Sequence, residues 1–497
     1  MAVSRPNIIV IMTDQQRADL TRREGYALDT TPFLDGLASR GVWFNRAYTA
    51  TPVCVCARIC MLTGRFPSAT RVRTNYNEAD LVAGTDLFSH FRALGYRTSL
   101  CGKNHSHLSA KDADYWFEAH HVGADDTHET PQNEAFDRYA GQLHMHLSRE
   151  ATPFPVECQL PYRIVSKAQG FIQSNTDQPF LLWLSFPEPH NPYQVPEPYF
   201  SLFPPKSLPP LRSSEADLAA KGFAYRWCRQ SFDKAFPDYL QTFDRARANY
   251  HSMLRLIDDQ VQRLVQFCEQ RGLLENTIVI FLSDHGDFVG EYGLLRKGPE
   301  LPEALVRIPL LITGPGISSV TGAHAAHVSI TDLFPTLCDA VGSPIPDGVQ
   351  GRSLWPLLTG RPYSQQTFSS IYAEHGYGGL PYDGTESLDP AKDGLALAAP
   401  DGSWGRCDCL NSRTQSGTLR MVRRGDWKLL LDNTGRGQLY NLQADPVELK
   451  NLYDHPEAQE PQNILMRELA LWMLRTQDPL PLPRANETGR RYILKRP

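Results

Sequence analysis

Asn7-Ile8-Ile9-Val10-Ile11-Met12-Thr13-Asp14-Gln15 is an unbroken apolar run that stops at a carboxylate and an amide. A run without alternation suits a strand buried on both faces, as in a parallel sheet covered by helices. Three later stretches repeat the design. Residues 98–101 run into Gly102-Lys103-Asn104-His105, residues 180–184 approach Pro187-Glu188-Pro189-His190, and residues 277–282 run into Ser283-Asp284-His285-Gly286. In such sheets ligands bind beyond the carboxyl ends of the strands. Asp14, Lys103, His190 and Asp284 are therefore expected together at one edge.

Helical patterns alternate with these strands, which predicts an α/β fold. The expected architecture is a large, mostly parallel central sheet flanked by helices, with a smaller C-terminal α+β subdomain. Thr31-Pro32 reads as an N-cap and first-position proline with Gly41 as the stop, and residues 85–94 read as a helix stopped by Gly95. The stripe Leu254, Ile257, Val261, Leu264, Val265 and Cys268 predicts a helix over about 248–271. Residues 192–212 are rich in proline and read as an irregular surface excursion. Composition shifts after Gly360-Arg361-Pro362. The division expected is an α/β domain over 1–362 and a subdomain over 363–497 with a small antiparallel sheet, including a strand at Trp427-Lys428-Leu429-Leu430-Leu431, and a helix.

The 497 residues are 41% apolar and 21% charged, an ordinary globular composition. Fifty basic against fifty-five acidic side chains leave a net charge of -5, without the basic stripe that a nucleic-acid partner requires. No apolar run approaches the roughly 18 residues of a membrane helix. Residues 8–12 are shorter than the apolar core of a signal peptide, which usually spans about 7–15 residues, so a cytoplasmic location is expected. Ten cysteines are too sparse for a disulfide scaffold. Cys407 and Cys409 lack a matching Cys/His pair for zinc.

The most specific stretch is Pro52-Val53-Cys54-Val55-Cys56-Ala57-Arg58-Ile59-Cys60-Met61-Leu62-Thr63-Gly64-Arg65. Cys54 and Arg58 are one helical turn apart and share a face. A helix N-terminus beside an arginine favours anions and lowers a thiol's pKa. From spacing alone, a structural cysteine cluster and a nucleophile remain equally open.

This stretch resembles the signature of the sulfatase family, within the alkaline phosphatase-like superfamily: Cys-X-Pro-X-Arg followed by Leu-Thr-Gly-Arg. Cys56 departs from it, standing where the family has proline or sometimes alanine. Other motifs follow in the family's order. Gly102-Lys103-Asn104-His105 is similar to Gly-Lys-Trp-His, Pro189-His190-Asn191-Pro192 to Pro-His-X-Pro, and Ser283-Asp284-His285-Gly286 to Ser-Asp-Asn/His-Gly. Lys297, thirteen residues past Asp284, matches a second active-site lysine. Residues 306–310 and 331–336 look like further signatures, and residues 427–429 and 439–446 resemble the family's C-terminal subdomain.

The resemblance implies oxidation of Cys54 to formylglycine by a maturing enzyme. It also implies one divalent cation held by Asp14, Gln15, Asp284, His285 and position 54. Mostly oxygen ligands favour Ca²⁺, and the imidazole makes Mn²⁺ the alternative. Arg58 and Lys103 are expected to offset the charge of the transferring group, His105 to take a proton from the nucleophile, and His190 and Lys297 to protonate the leaving oxygen. The implied substrate is a small-molecule or carbohydrate sulfate ester, and a homo-oligomer is compatible with the sequence. Two alternatives stand beside it: a phosphonate monoester or phosphodiester hydrolase, with which Gln15, His285 and the spacing to Lys297 are compatible whereas His105 looks more sulfatase-like, and a catalytically silent anion-binding relative in which Cys56 blocks maturation. His107, His120, His121, His144 and His146 receive no role, though His144 and His146 are spaced like neighbours on a strand face. Arg71, Arg73, Tyr76, Tyr377 and Trp404 are unranked candidates for substrate contact.

Overall fold

A computed structural model describes residues 5–476 apart from 76, 83, 127–129, 176–177, 320–321 and 386–415. Fourteen strands are described, in chain order β1 Asn7–Asp14, β2 Val42–Trp43, β3 Ala47–Tyr48, β4 Arg97–Gly102, β5 Tyr115–His120, β6 Gly123–Ala124, β7 Phe180–Pro189, β8 Thr277–Ser283, β9 Leu310–Thr313, β10 Val328–Ser329, β11 Ser370–Gly378, β12 Gly417–Arg424, β13 Trp427–Asp432 and β14 Gly437–Asn441.

Eight of them form one sheet in the order β2-β9-β8-β1-β7-β4-β5-β6. The central five, β8-β1-β7-β4-β5, are all parallel, and antiparallel β9 and β6 flank them. The unbroken apolar runs follow from burial on both faces. On one face Ile9, Ile11, Leu182 and Phe281 pack with helices Pro32–Ala38, Leu160–Gln173 and Tyr239–Gln270. On the other, Ile8, Val10, Trp183 and Ile280 pack with helices Cys54–Thr63, Leu87–Ala93 and Leu333–Ala340.

Of the other six strands, β3 and β10 pair in parallel, and β11-β12-β13-β14 form an antiparallel sheet. One face, with Tyr372, Val422, Leu429 and Leu439, meets Leu465, Leu469 and Trp472 of helix Gln459–Thr476. The other, with Ile371, Met421 and Leu430, meets Tyr48, Leu301 and Val306. The small sheet therefore rests on the loops that lead to the site. No helix among the described residues is long and apolar enough to cross a membrane.

Several local expectations shift. The long helix starts at Tyr239, nine residues before the expected 248. Its first turns bury arginines against rings and carbonyls: Arg245 lies over Phe200 at 4.1 Å and Arg247 donates to Pro209 O at 3.1 Å. A hydrophobicity stripe does not register such residues. Thr31 precedes helix Pro32–Ala38 without making a side-chain cap. Asp258 of the long helix accepts the Phe33 and Leu34 N–H groups instead, at 2.8 and 2.9 Å. The next helix starts at Leu87, two residues after the expected 85, with Asp86 capping it through reciprocal bonds with Ser89. His144 and His146 lie in a turn, with left-handed backbone at His144 and Met145, not on a strand. The proline-rich segment is irregular, with single helical turns at Tyr199–Leu202 and Pro205–Ser207.

Candidate active site

β1 and β8 run side by side with Thr13 opposite Ser283, so Asp14 and Asp284 leave the sheet together. The Gln15 N–H, in left-handed backbone at φ 70°, donates to Asp284 Oδ1 at 3.0 Å. The His285 N–H reaches the same oxygen at 2.8 Å. Helix Cys54–Thr63 supplies the third corner, with Cys54 in its first turn. Gly64 ends it at φ 63°, where a Cβ would stand 2.8 Å from Val349 Cγ1. Cys54 Sγ lies 3.1 Å from His285 Nε2 and 3.6 Å from Asp14 Oδ1. A carbonyl only accepts, so His285 Nδ1 gives its proton to Gly286 O at 2.8 Å, and Nε2 faces the thiol.

One ligand atom each from Asp14, Cys54, Asp284 and His285 lies within 4.8 Å of all the others, and all four residues are buried. Two buried carboxylates with an imidazole and a thiol suit one divalent cation.

Arg58, fully buried one turn after Cys54, holds the two carboxylates in place. Its guanidinium donates to Asp284 at 2.9 Å, Ser185 Oγ at 2.7 Å and the Lys103 carbonyl at 3.0 Å, with Asp14 at 3.5 Å. Lys103 leaves β4 past Gly102, whose φ of +113° brings the backbone against β7. A Cβ there would lie 1.9 Å from Ser185 O. Lys103 Nζ bonds to Asp14 Oδ2 and meets His121 Nε2 at 2.6 Å.

A second chain of bonds leads away from the carboxylates. Gln15 Nε2 donates to Asp287 at 2.8 Å, which turns Gln15 Oε1 towards Lys297 Nζ at 3.2 Å. Lys297 then meets His190 Nε2 at 3.1 Å. Asp287 is fixed by Tyr193 OH at 3.0 Å and by the N–H groups of Val289 and Arg296.

Burial alone would raise the Asp14 carboxyl, yet Lys103, His190, His121 and Arg58 hold it well below the usual carboxylate range. Burial would lower His285, but Asp284 and Cys54 lift it to about 9. Burial, then Lys103, His121 and Arg58, press His105 far below the ordinary imidazole range, which keeps it neutral. Glu188, buried on β7, is pushed up to about 8 by desolvation.

The structure thus brings Asp14, Cys54, Arg58, Lys103, Asp284 and His285 into direct contact, and links Gln15, Lys297 and His190 beside them. His105 joins through its ring edge, 6.1 Å from His121. Sequence reasoning left out His121 and Asp287. The first follows β5 at the same sheet edge as the other site residues, a signal masked by that strand's alternating, half-exposed pattern. Three of the other unassigned histidines have partners elsewhere: His107 with Asp86, His120 with Asp125 and His146 with Asp238. Of the substrate-contact candidates, Arg71 and Arg73 lie before the turn that Asn77 organises. Tyr76, Trp404 and the Tyr377 side chain, like Cys407 and Cys409, lie outside the described residues.

A parallel sheet with acids, imidazoles and cations gathered past its strand ends is the framework of an α/β enzyme acting on an anion. The sequence profile of the Sulfatase family matches residues 6–343, and the chain belongs to the sulfatase family of sulfuric ester hydrolases. It is 28% identical to a choline-sulfatase of Rhizobium meliloti (strain 1021), over 92% of this chain and 84% of the relative. It is 27% identical to an arylsulfatase of Clostridium perfringens (strain 13 / Type A), over 94% of each. The crystallised phosphonate monoester hydrolase of Silicibacter pomeroyi shares the fold at a TM-score of 0.76 and 22% identity, covering 98% of both chains.

Proposed function

We propose that the protein hydrolyses an aryl or carbohydrate sulfate ester through formylglycine formed from Cys54 and one divalent cation, Ca²⁺ or Mn²⁺, held by Asp14, Gln15, Asp284 and His285. The observation that carries this reading is the Cys54 thiol buried between His285 and Asp14 at a helix N-terminus, one turn from Arg58. When present, formylglycine supplies an oxygen nucleophile as its hydrate and the cation supplies Lewis acidity. The chain's own residues do the rest. Arg58 spends its donors on Asp14, Asp284, Ser185 and the Lys103 carbonyl, so it preorganises the carboxylates. Lys103 offers positive charge to the transferring sulfuryl group. His105 takes a proton from the nucleophile in this reading. Lys297 holds a proton between Gln15 Oε1 and His190 Nε2, where the pair can hand it to the leaving oxygen.

Cys56 donates to Thr74 O at 3.4 Å, and burial pushes its thiol well above the usual range. It reads as an inert core thiol in the folded chain, and the reading takes Cys54 as the residue that is matured. Gln15, His285 and Lys297 are compatible with a second reading, a phosphonate monoester or phosphodiester hydrolase. The reading further takes residues 363–497 as a subdomain that shapes access to the site of the 1–362 domain, and a formylglycine-maturing enzyme as an obligatory partner.

The test uses one preparation, matured in its native host and checked by peptide mass spectrometry across residues 52–65. Aryl sulfate turnover well above aryl phosphonate turnover is expected. The reverse order overturns the choice in favour of the second reading. An unmodified Cys54 without sulfate release establishes the silent relative.

A further inference from the structure

We infer that His121 is a positioning residue for the reaction: it anchors the Lys103 ammonium beside that group's bond to Asp14 and backs the ring of His190. Three strands deliver these groups to one edge: β4 brings Lys103, β5 brings His121 and β7 brings His190. Lys103 Nζ meets His121 Nε2 at 2.6 Å and also bonds to Asp14 Oδ2. A lysine ammonium has only protons to give, so Nε2 must present its lone pair and the ring proton must sit on Nδ1. Nε2 lies 3.9 Å from Asp14 Oδ2, too far for it to donate there instead.

The neighbouring pair has the same form. His190 Nδ1 donates to Asn191 O at 2.8 Å, which turns Nε2 to Lys297 Nζ at 3.1 Å. The two imidazoles lie face to face, with centroids 3.9 Å apart and planes 23° apart. Two lysine–histidine pairs are thus stacked side by side. One is bonded to the Asp14 carboxylate, the other to the Gln15 amide. With two Lys103 protons fixed on Asp14 and His121, the direction of the third is set. Without the His121 acceptor the ammonium is free to swing about its bond to Asp14. A bond of this charge-assisted kind changes equilibria by roughly tenfold to a hundredfold.

The inference rests on the sulfate-ester reading for what Lys103 faces, but not for the arrangement itself. Two substitutions separate the functions of the ring. His121→Gln keeps an acceptor for Lys103, whereas His121→Phe keeps the stack on His190 and loses the acceptor. With a nitrophenyl sulfate as substrate, His121→Phe is expected to lower kcat/KM by about tenfold or more and to raise the inhibition constant of inorganic sulfate. His121→Gln is expected to recover most of both. In a Lys103→Met background the difference between Gln and Phe should vanish. A Phe variant as active as Gln, or a difference that persists without Lys103, overturns the inference. Nitrogen-15 shifts of the histidine rings, assigned by the loss of one signal in His121→Gln, give a readout independent of turnover. The Nδ1–H form is expected, and an Nε2–H form refutes the anchor whether or not sulfate esters are cleaved.

Discussion

Lys428 on β13 has no exposed side-chain surface, and its ammonium spends its protons on Leu301 O at 2.6 Å, Glu303 at 3.0 Å and Glu448 at 2.8 Å. Lys428→Met keeps the stem and deletes the charge. Glu303 then keeps Arg423 at 2.9 Å, and Glu448 keeps the Glu303 N–H at 2.8 Å. Removing one member of a buried ion pair costs about 3–5 kcal/mol, because the other charge stays buried. Burial would raise the Glu303 carboxyl above its ordinary 4.5, but Lys428, then Arg423 and Arg307, hold it at about 2. Because the folded value is depressed, this stability is present above pH 4.5 and is lost as pH falls towards 2. Urea unfolding of both proteins should therefore show a difference of about 3–5 kcal/mol at pH 7 that shrinks by about half near pH 3. A difference below about 1 kcal/mol at pH 7, typical of exposed pairs, or one that does not narrow in acid, refutes the reasoning. The lesion should also reach catalysis, since Leu301 is four residues beyond Lys297 on the same loop.

Gly102→Ala places a Cβ 1.9 Å from Ser185 O at a φ of +113°, so the β4–β7 join must move and Lys103 with it; kcat/KM should fall more than about tenfold, and wild-type kinetics would show that the join is pliable. Asp284→Asn removes a carboxylate from the four-residue corner while keeping its shape; metal analysis after dialysis should find bound Ca²⁺ or Mn²⁺ lost, and full retention would place the cation elsewhere. His251 is buried with Nδ1 on Arg247 O and Nε2 on the Tyr26 hydroxyl, and burial presses it to about 4. The unfolded chain takes up the proton first, so stability should fall as pH drops from about 6.5 towards 4 by up to about 3 kcal/mol, and His251→Gln should flatten that slope in acid-unfolding curves.

How much of this was legible in the sequence follows from how each residue meets the backbone. Asp14, Lys103, His190 and Asp284 stand just past apolar runs, and a strand buried on both faces announces itself by continuous hydrophobicity, so its end is also marked. Reading four such ends as one edge needed only the rule that parallel strands share a direction. Cys54 and Arg58 were legible for a different reason: helical spacing is local, and Gly64 marks the stop with a φ that favours glycine. His121 was not legible because β5 is half-exposed and alternates, so its end lies among polar residues that resemble a turn. Asp258 as the cap of helix Pro32–Ala38 was beyond reach, since that bond joins residues more than 220 positions apart and Thr31 offered a complete local answer. The same limit explains Arg245 and Arg247, whose charge reads as solvent-facing until the rings and carbonyls that cover them are in place. Sequence therefore reveals groups whose role is fixed by neighbours along the chain and conceals those fixed by neighbours across it. His121, set by Lys103 on another strand, belongs to the second kind, which is why the stacked lysine–histidine pairs emerge only from the fold.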